Sequence, residues 1–312
     1  MGFSHKNRMR KCKLQVTSAS KFKDGLSSQL ALALATCTFP HTLPPVPIDL
    51  SPYHAVLVDL DGTLCYEAQS LPGAADFIRR LRDQRINFAC ISNSTSSPLR
   101  VSTRLAQMGV EIDLDRVYTA AAAAADYVLA HFRSQNNPRP RIFNLATNGL
   151  QDMLDGLVDW VENDGEPCDA VVIGAPPNSH ATPDRQRLAV RLLRKGAAAV
   201  GICADRVYPS DRGLELGSGA LTWQLAYAAA VQPVFCGKPQ EIFFTELCRR
   251  LGAQPDSCLL IGDNLESDIE GAKVLGMRTI LTLTGVTRRR HLANLPQEWQ
   301  ADLVVEDLTE LL

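Results

Sequence analysis

Apolar and polar positions along this chain follow two rhythms, short continuous apolar runs and longer stretches with helical spacing. Residues 54–58, His54-Ala55-Val56-Leu57-Val58, are short, apolar and β-branched, the pattern of a buried strand. Residues 74–85 place Phe77, Ile78 and Leu81 on one side of a helix, and 87–91 return to a strand pattern. Residues 98–108 read as a helix that stops at Gly109. The alanine run 120–125 continues into Asp126-Tyr127-Val128-Leu129, and its high helix propensity predicts a packed helix rather than a linker.

A polar, Pro-rich break at 134–140 separates this region from a new pattern of the same kind. There the expected elements are strand 141–145, helix near 150–157, strand 170–174, helix 184–195 and strand 198–203. A second break, 204–219, is rich in Gly, Pro and Asp. Helix 220–230 and strands 233–236, 258–261, 279–283 and 303–305 follow. Strand–helix alternation predicts parallel βαβ units. The fold class is therefore α/β: a doubly wound parallel-sheet core, residues 50–136 and 213–312, interrupted by an inserted α/β domain at 137–212.

Composition narrows the function classes. A chain of 312 residues with 46% apolar and 21% charged content has enough apolar sequence for a substantial core. A net charge of -2 gives no electrostatic case for nucleic acid or an acidic membrane surface. No apolar run approaches the roughly 18 residues of a membrane span. Nine cysteines without a C-x-x-C spacing, with Cys90, Cys168, Cys236 and Cys258 beside or inside apolar runs, argue for a reducing compartment rather than a disulfide frame or zinc site. The cytoplasm is the expected location. Residues 1–49 are set apart from the fold, because the first 23 carry seven Lys or Arg and no acid. An organelle-targeting leader, a disordered tail and an over-long start are the readings open for that segment.

Candidate chemistry gathers where strands end. After the first strand come Asp59-Leu60-Asp61-Gly62-Thr63. Open α/β sheets place their sites at the carboxyl ends of strands, and Gly62 lets the backbone approach a ligand closely. An EF-hand loop would need a third ligand before the glycine and a helix leading in, and both are missing. A solvated strand-end turn and a Mg²⁺ phosphoryl-transfer site remain for this passage taken alone. Ser92-Asn93 follows the second strand and offers hydroxyl, amide and turn N–H donors, or a plain helix cap. Lys238, between Gly237 and Pro239, is a point charge on a rigid turn, or a solvated surface lysine. Gly262-Asp263 ends another apolar run, with Asp268 five residues on. Asp268 serves the same site or caps a helix over 269–275. Four strand ends each carrying a group useful to metal-assisted phosphate chemistry favour the phosphoryl-transfer reading.

In this order the motifs resemble the haloacid dehalogenase superfamily, and more closely its class IIA branch of nitrophenylphosphatase-like and phosphoglycolate phosphatase-like enzymes. The resemblance covers residues 53–312 and implies a Rossmann-like core in which the insert is a cap domain. It also implies a Mg²⁺-dependent phosphatase acting on a small phosphorylated metabolite. Asp59 is then the nucleophile that becomes an aspartyl-phosphate, and Asp61 the acid and later the base. Mg²⁺ is held by Asp59, Asp263 and the backbone carbonyl of Asp61, with Asp268 orienting a metal-bound water. Ser92, the backbone near Asn93 and Lys238 balance the phosphoryl oxygens. The branch commonly has Thr-Asn-Asn where this chain has Ser92-Asn93-Ser94, and Asn-Pro-Asp where it has Cys203-Ala204-Asp205. Leaving-group recognition is thus the least transferable part. Asp205 and Arg206 are the candidate substrate-binding residues of the cap, with Arg206 or Arg212 meeting a substrate carboxylate or simply facing solvent. A homodimer through the cap is a further implication.

A dehalogenase of the same superfamily is disfavoured by Asp61 and Asp263, which its chemistry does not need. A phosphotransferase or mutase shares all four motifs. A catalytically silent binding module on the same fold is the alternative from another class.

Overall fold

Residues 55–59 form a central strand of a six-stranded parallel sheet because 55–58 are apolar on both faces. In this computed structural model the described residues are 47–174, 180–210, 213–293 and 295–312. Most of the expected leader (1–46) and Arg212 lie outside them. The strands are β1 Ala55–Asp59, β2 Cys65–Tyr66, β3 Gln69–Ser70, β4 Phe88–Ser92, β5 Val117–Thr119, β6 Arg141–Leu145, β7 Asp159–Trp160 and β8 Ala170–Ile173. They continue as β9 Ala198–Gly201, β10 Val207–Ser210, β11 Gly213–Leu216, β12 Val234–Phe235, β13 Cys258–Gly262, β14 Arg278–Thr282 and β15 Leu303–Val305. The α-helices are α1 Ala74–Asp83, α2 Pro98–Gln107, α3 Ala120–Ser134, α4 Asn148–Leu154, α5 Pro183–Arg194, α6 Ser218–Ala229, α7 Glu241–Leu251 and α8 Gly271–Val274.

The first sheet has the order β15-β14-β13-β1-β4-β5, all parallel. Alternate residues of β1 feed two cores. Val56 and Val58 meet Phe77, Ile78 and Leu81 of α1 with Val101 and Leu105 of α2. Ala55 and Leu57 face the side covered by the alanines of α3 and by Phe243, Phe244 and Leu247 of α7. The sheet is doubly wound. Phe77 is fully buried, and truncating such a ring to alanine costs about 3–5 kcal/mol.

The alanine run packs because each methyl lets α3 lie close to its neighbours; all six alanines from 120 to 125 are buried. A second, five-stranded parallel sheet has the order β12-β9-β8-β6-β7. One of its faces is filled by Phe143, Leu145, Val171 and Ile173 against α5 and α6.

Three features differ from the sequence expectation. The second sheet does not end near 212 but continues through α6 to β12 at Phe235. β12 is therefore an edge strand of that sheet, with Val234 40% exposed, rather than a buried strand of the core. The break at 204–219 contains the antiparallel ribbon β10–β11. Its periodicity is hard to see because Leu214 and Leu216, the apolar positions of β11, face solvent. The short edge strands β5 and β7 carry too few residues to produce a pattern.

Chain order reverses about β1: the chain moves from β1 to β4 on one side, then returns to β13 on the other. The crevice beyond the carboxyl end of β1 is thus the topological switch point, where such sheets bind ligands. The described residues include no helix long and apolar enough to cross a membrane.

Candidate active site

β1 delivers Asp59 as its last residue, and β13 delivers Asp263 one residue past its end, because neighbouring parallel strands finish at the same rim. Asp268 follows through a wide π turn, Leu265–Glu270. One carboxylate oxygen from each of Asp59, Asp263 and Asp268 lies within 4.8 Å of the others, and all three residues are buried. Lys238 enters this group from the loop after β12. Its ammonium donates to Asp59 Oδ1 at 2.5 Å and to Asp268 Oδ1 at 2.6 Å.

Charge does not balance within this cluster. Three buried carboxylates face one ammonium, so a divalent cation would neutralise the remainder. Titration behaviour has the same cause. Burial raises the Asp59 carboxyl well above its ordinary range; Lys238 opposes this, while Asp268 and Asp263 add to it. Asp263 is pushed up to about 7, by burial first and the Asp268 charge second. Burial alone would lower the Lys238 ammonium, but Asp268 and Asp59 outweigh it and hold it above its usual value.

The oxygens that could take a metal can be named. Asp59 Oδ2 is buried and has no hydrogen-bond partner among the described residues. Asp263 Oδ2 accepts the Val286 N–H at 2.5 Å, and an oxygen of the same carboxylate lies within 4.8 Å of one on Asp59. Both oxygens of Asp268 are engaged, Oδ1 by Lys238 and Oδ2 by the Asn264 N–H at 3.1 Å. This suits Asp268 better to holding its neighbours than to direct ligation. Two glycines make room for Asp263. A Cβ on Gly62, whose φ is 100°, would lie 2.5 Å from its Oδ2, and one on Gly285 would lie 1.9 Å away. The donor set is all oxygen and acidic, which fits a hard cation such as Mg²⁺.

Asp268 does not cap the following helical turn. Asn264 does so, its side chain accepting the N–H groups of Glu266 and Ser267. Asn264 is four residues before the expected cap, and the π turn displaces the cap from where α-helical spacing puts it.

Asp61 faces elsewhere. Although one residue from Asp59, its side chain leaves the acidic cluster. It accepts Arg104 Nη2 at 2.9 Å on Oδ1 and the Ser92 hydroxyl at 3.0 Å on Oδ2. Ser92 in turn accepts the Ser94 N–H at 3.0 Å. Asn93 donates from Nδ2 to the Lys238 carbonyl and to Asp205 Oδ1, each at 3.0 Å. Asp205 also receives the Cys203 thiol at 3.2 Å. Burial raises the Asp205 carboxyl, against the pull of its Cys203 and Asn93 hydrogen bonds.

These residues line one cavity of about 690 Å³. It contains Asp59, Asp61, Ser92, Asn93, Asp205, Lys238, Asp263 and Asp268, all singled out from the sequence. Arg206 is not brought in: it is 85% exposed at its side chain and pairs with Glu266 on the surface at 3.2 Å. Sequence reasoning missed Arg104, Tyr208 and Arg288, which also line the cavity. Arg104 lies on the polar side of α2 and reads as an ordinary surface cation. Tyr208 sits on the unrecognised ribbon.

Comparison with known proteins agrees with this arrangement. Residues 56–157 match the haloacid dehalogenase-like hydrolase family, and residues 235–311 match the HAD-hydrolase-like family. An acid sugar phosphatase of Staphylococcus epidermidis is 32% identical over 236 residues, covering 75% of this chain and 88% of that protein. The 5'-nucleotidase YutF of Bacillus subtilis is 29% identical over 243 residues, covering 78% and 91%. The glycerol phosphate phosphatase of Mycobacterium tuberculosis, solved in complex with magnesium, superposes with a TM-score of 0.74 at 28% identity, covering 84% of this chain and 77% of that one. With these matches and the strand-end site together, the chain belongs to the haloacid dehalogenase-like hydrolases, in their class IIA branch.

Proposed function

We propose that this protein is a Mg²⁺-dependent phosphatase that hydrolyses small phosphate monoesters through a phosphorylated Asp59. One observation carries the reading: Asp59, Asp263 and Asp268 meet around a single Lys238, with Asp59 Oδ2 buried and unpartnered among the described residues. The named activities of the similar proteins, on sugar phosphates, nucleotides and glycerol phosphate, support a small phosphomonoester as substrate.

The metal would be held by the Asp59 and Asp263 carboxylates and the Asp61 carbonyl, and when bound it would neutralise charge on the phosphoryl group and so reduce its repulsion of an anionic nucleophile. Asp59 attacks phosphorus, forming the acyl phosphate bond as the ester P–O bond breaks. Asp61 gives its proton to the departing oxygen, then takes one back from the water that attacks the acyl phosphate, so it ends as it began. Lys238 keeps its ammonium beside Asp59 and can balance one phosphoryl oxygen. Ser92, whose hydroxyl donates to Asp61, would offer the same hydroxyl to a phosphoryl oxygen. Asn93 joins the loop after β4 to Asp205 of the second sheet's connection, so substrate selection at Asp205 acts through the wall of the cavity.

The test is phosphate release from p-nitrophenyl phosphate with and without Mg²⁺, with Asp59→Asn as control. Mg²⁺-dependent release by the wild type and none by the variant is expected. Equal turnover by both proteins would remove Asp59 from the chemistry, and none by either would favour a binding module.

A further inference from the structure

Arg104 is the cation that the fold brings to Asp61, and no family motif named above accounts for it. It sits in α2, which starts five residues after the Ser92-Asn93 turn, so β4 and α2 together carry two groups to one carboxylate. Ser92 holds Oδ2 at 3.0 Å and Arg104 holds Oδ1 at 2.9 Å. Both Asp61 oxygens are thereby fixed, at the wall of the cavity that contains Asp59. Among the described residues the guanidinium has no other acceptor.

We propose that Arg104 is a positioning residue for Asp61, holding its carboxylate at the orientation in which it meets the leaving oxygen. The inference rests on the phosphatase reading above. The side chains of Arg104 and Asp61 are 40% and 50% exposed, and pairs of that kind contribute little to stability. An effect of Arg104 therefore belongs in the chemistry, in the step where Asp61 transfers a proton. That step matters unequally between substrates. A nitrophenolate leaves as a stable anion, whereas an alkoxide leaves only with a proton supplied.

The experiment compares kcat/KM, which reports steps through loss of the leaving group, for p-nitrophenyl phosphate and for the alkyl phosphate of a panel that the wild type turns over best. The proteins are wild type, Arg104→Ala, Arg104→Lys and Arg100→Ala. Arg100 lies one turn earlier on α2, is 3.8 Å from Asp152 and does not line the cavity. For Arg104→Ala the expected loss is about a hundredfold on the alkyl phosphate and at most about threefold on the aryl phosphate. Arg104→Lys should regain most of the alkyl rate, and Arg100→Ala should match wild type on both. Equal losses on the two substrates, or no loss on either, would overturn the proposal. So would a wild type that cleaves the aryl phosphate and no alkyl phosphate, since Asp61 would then protonate no leaving group. If the wild type cleaves neither, the phosphatase reading fails first and this inference falls with it.

Discussion

Lys238 and Asp59 are 179 residues apart in the chain, yet the ammonium of one stands 2.5 Å from a carboxylate oxygen of the other, with both side chains buried. The same ammonium reaches Asp268. Replacing Lys238 with Met would leave two buried carboxylates without their cation. Removing one partner of a buried ion pair costs about 3–5 kcal/mol. Lys238→Met should therefore melt well below wild type in EDTA. Mg²⁺ should recover part of the difference, while phosphatase activity stays lost. Thermal melts in both conditions, with turnover of p-nitrophenyl phosphate, check this.

Asp263 gives a pH dependence whose sign is set by burial. Its carboxyl is raised from 3.8 to about 7 in the folded chain. A raised acid contributes stability that is fully present below its unfolded value and is lost as pH rises through its folded value. Metal-free protein should thus lose this contribution between pH 3.8 and about 7. Mg²⁺ competes with that proton and with the one favoured on the raised Asp59 carboxyl, so its apparent affinity should climb as pH rises toward 7, by up to about tenfold per pH unit for each proton displaced. Calorimetric Mg²⁺ titrations at several pH values measure the slope, and a flat profile would contradict the ligand assignment.

Gly62 is required twice over. Its φ of 100° is strained for any side chain, and a Cβ there would collide with Asp263 Oδ2 at 2.5 Å. Gly62→Ala should cost about 1–3 kcal/mol and weaken Mg²⁺ binding, because Asp263 has to move. Chemical denaturation and the same Mg²⁺ titration report the two effects separately.

Asp205 is half-buried and desolvation raises its carboxyl. Its stabilising contribution is present below 3.8 and lost as pH rises through the higher folded value. Asp205→Asn keeps an oxygen for Asn93 and removes the partly desolvated charge. Its melting temperature should exceed that of wild type at neutral pH, and the gap should close as the solution is acidified. A gap that widens on acidification would contradict this.

The legible part of the site was the part carried by strand ends. Asp59, Asp263 and Ser92 follow apolar runs, and a run followed by a polar residue at a turn can be read without knowing the fold. Lys238 was found for the same reason, although its strand belongs to the other sheet. Spacing did not disclose direction. Asp59 and Asp61 are separated by one residue, but one side chain enters the acidic cluster and the other meets Arg104 and Ser92. Arg104 was invisible because a helix shows a cation on its polar side whether or not a carboxylate waits there. Arg206 was the converse case: adjacency to Asp205 left a ligand contact and a solvent-facing arginine both open, and the chain turns it out to Glu266. Short edge strands and the β10–β11 ribbon were lost because a few residues carry no period.

The nucleophile is tested most directly by trapping it. Enzyme turning over substrate with Mg²⁺ is quenched, reduced with borohydride and digested, and the peptide containing residue 59 is read by mass spectrometry. Borohydride converts an aspartyl phosphate to homoserine. Homoserine at position 59, appearing only when substrate and Mg²⁺ are both present, is the expected result. Active enzyme that yields unmodified Asp59 under the same quench, or homoserine at another aspartate, would contradict the account.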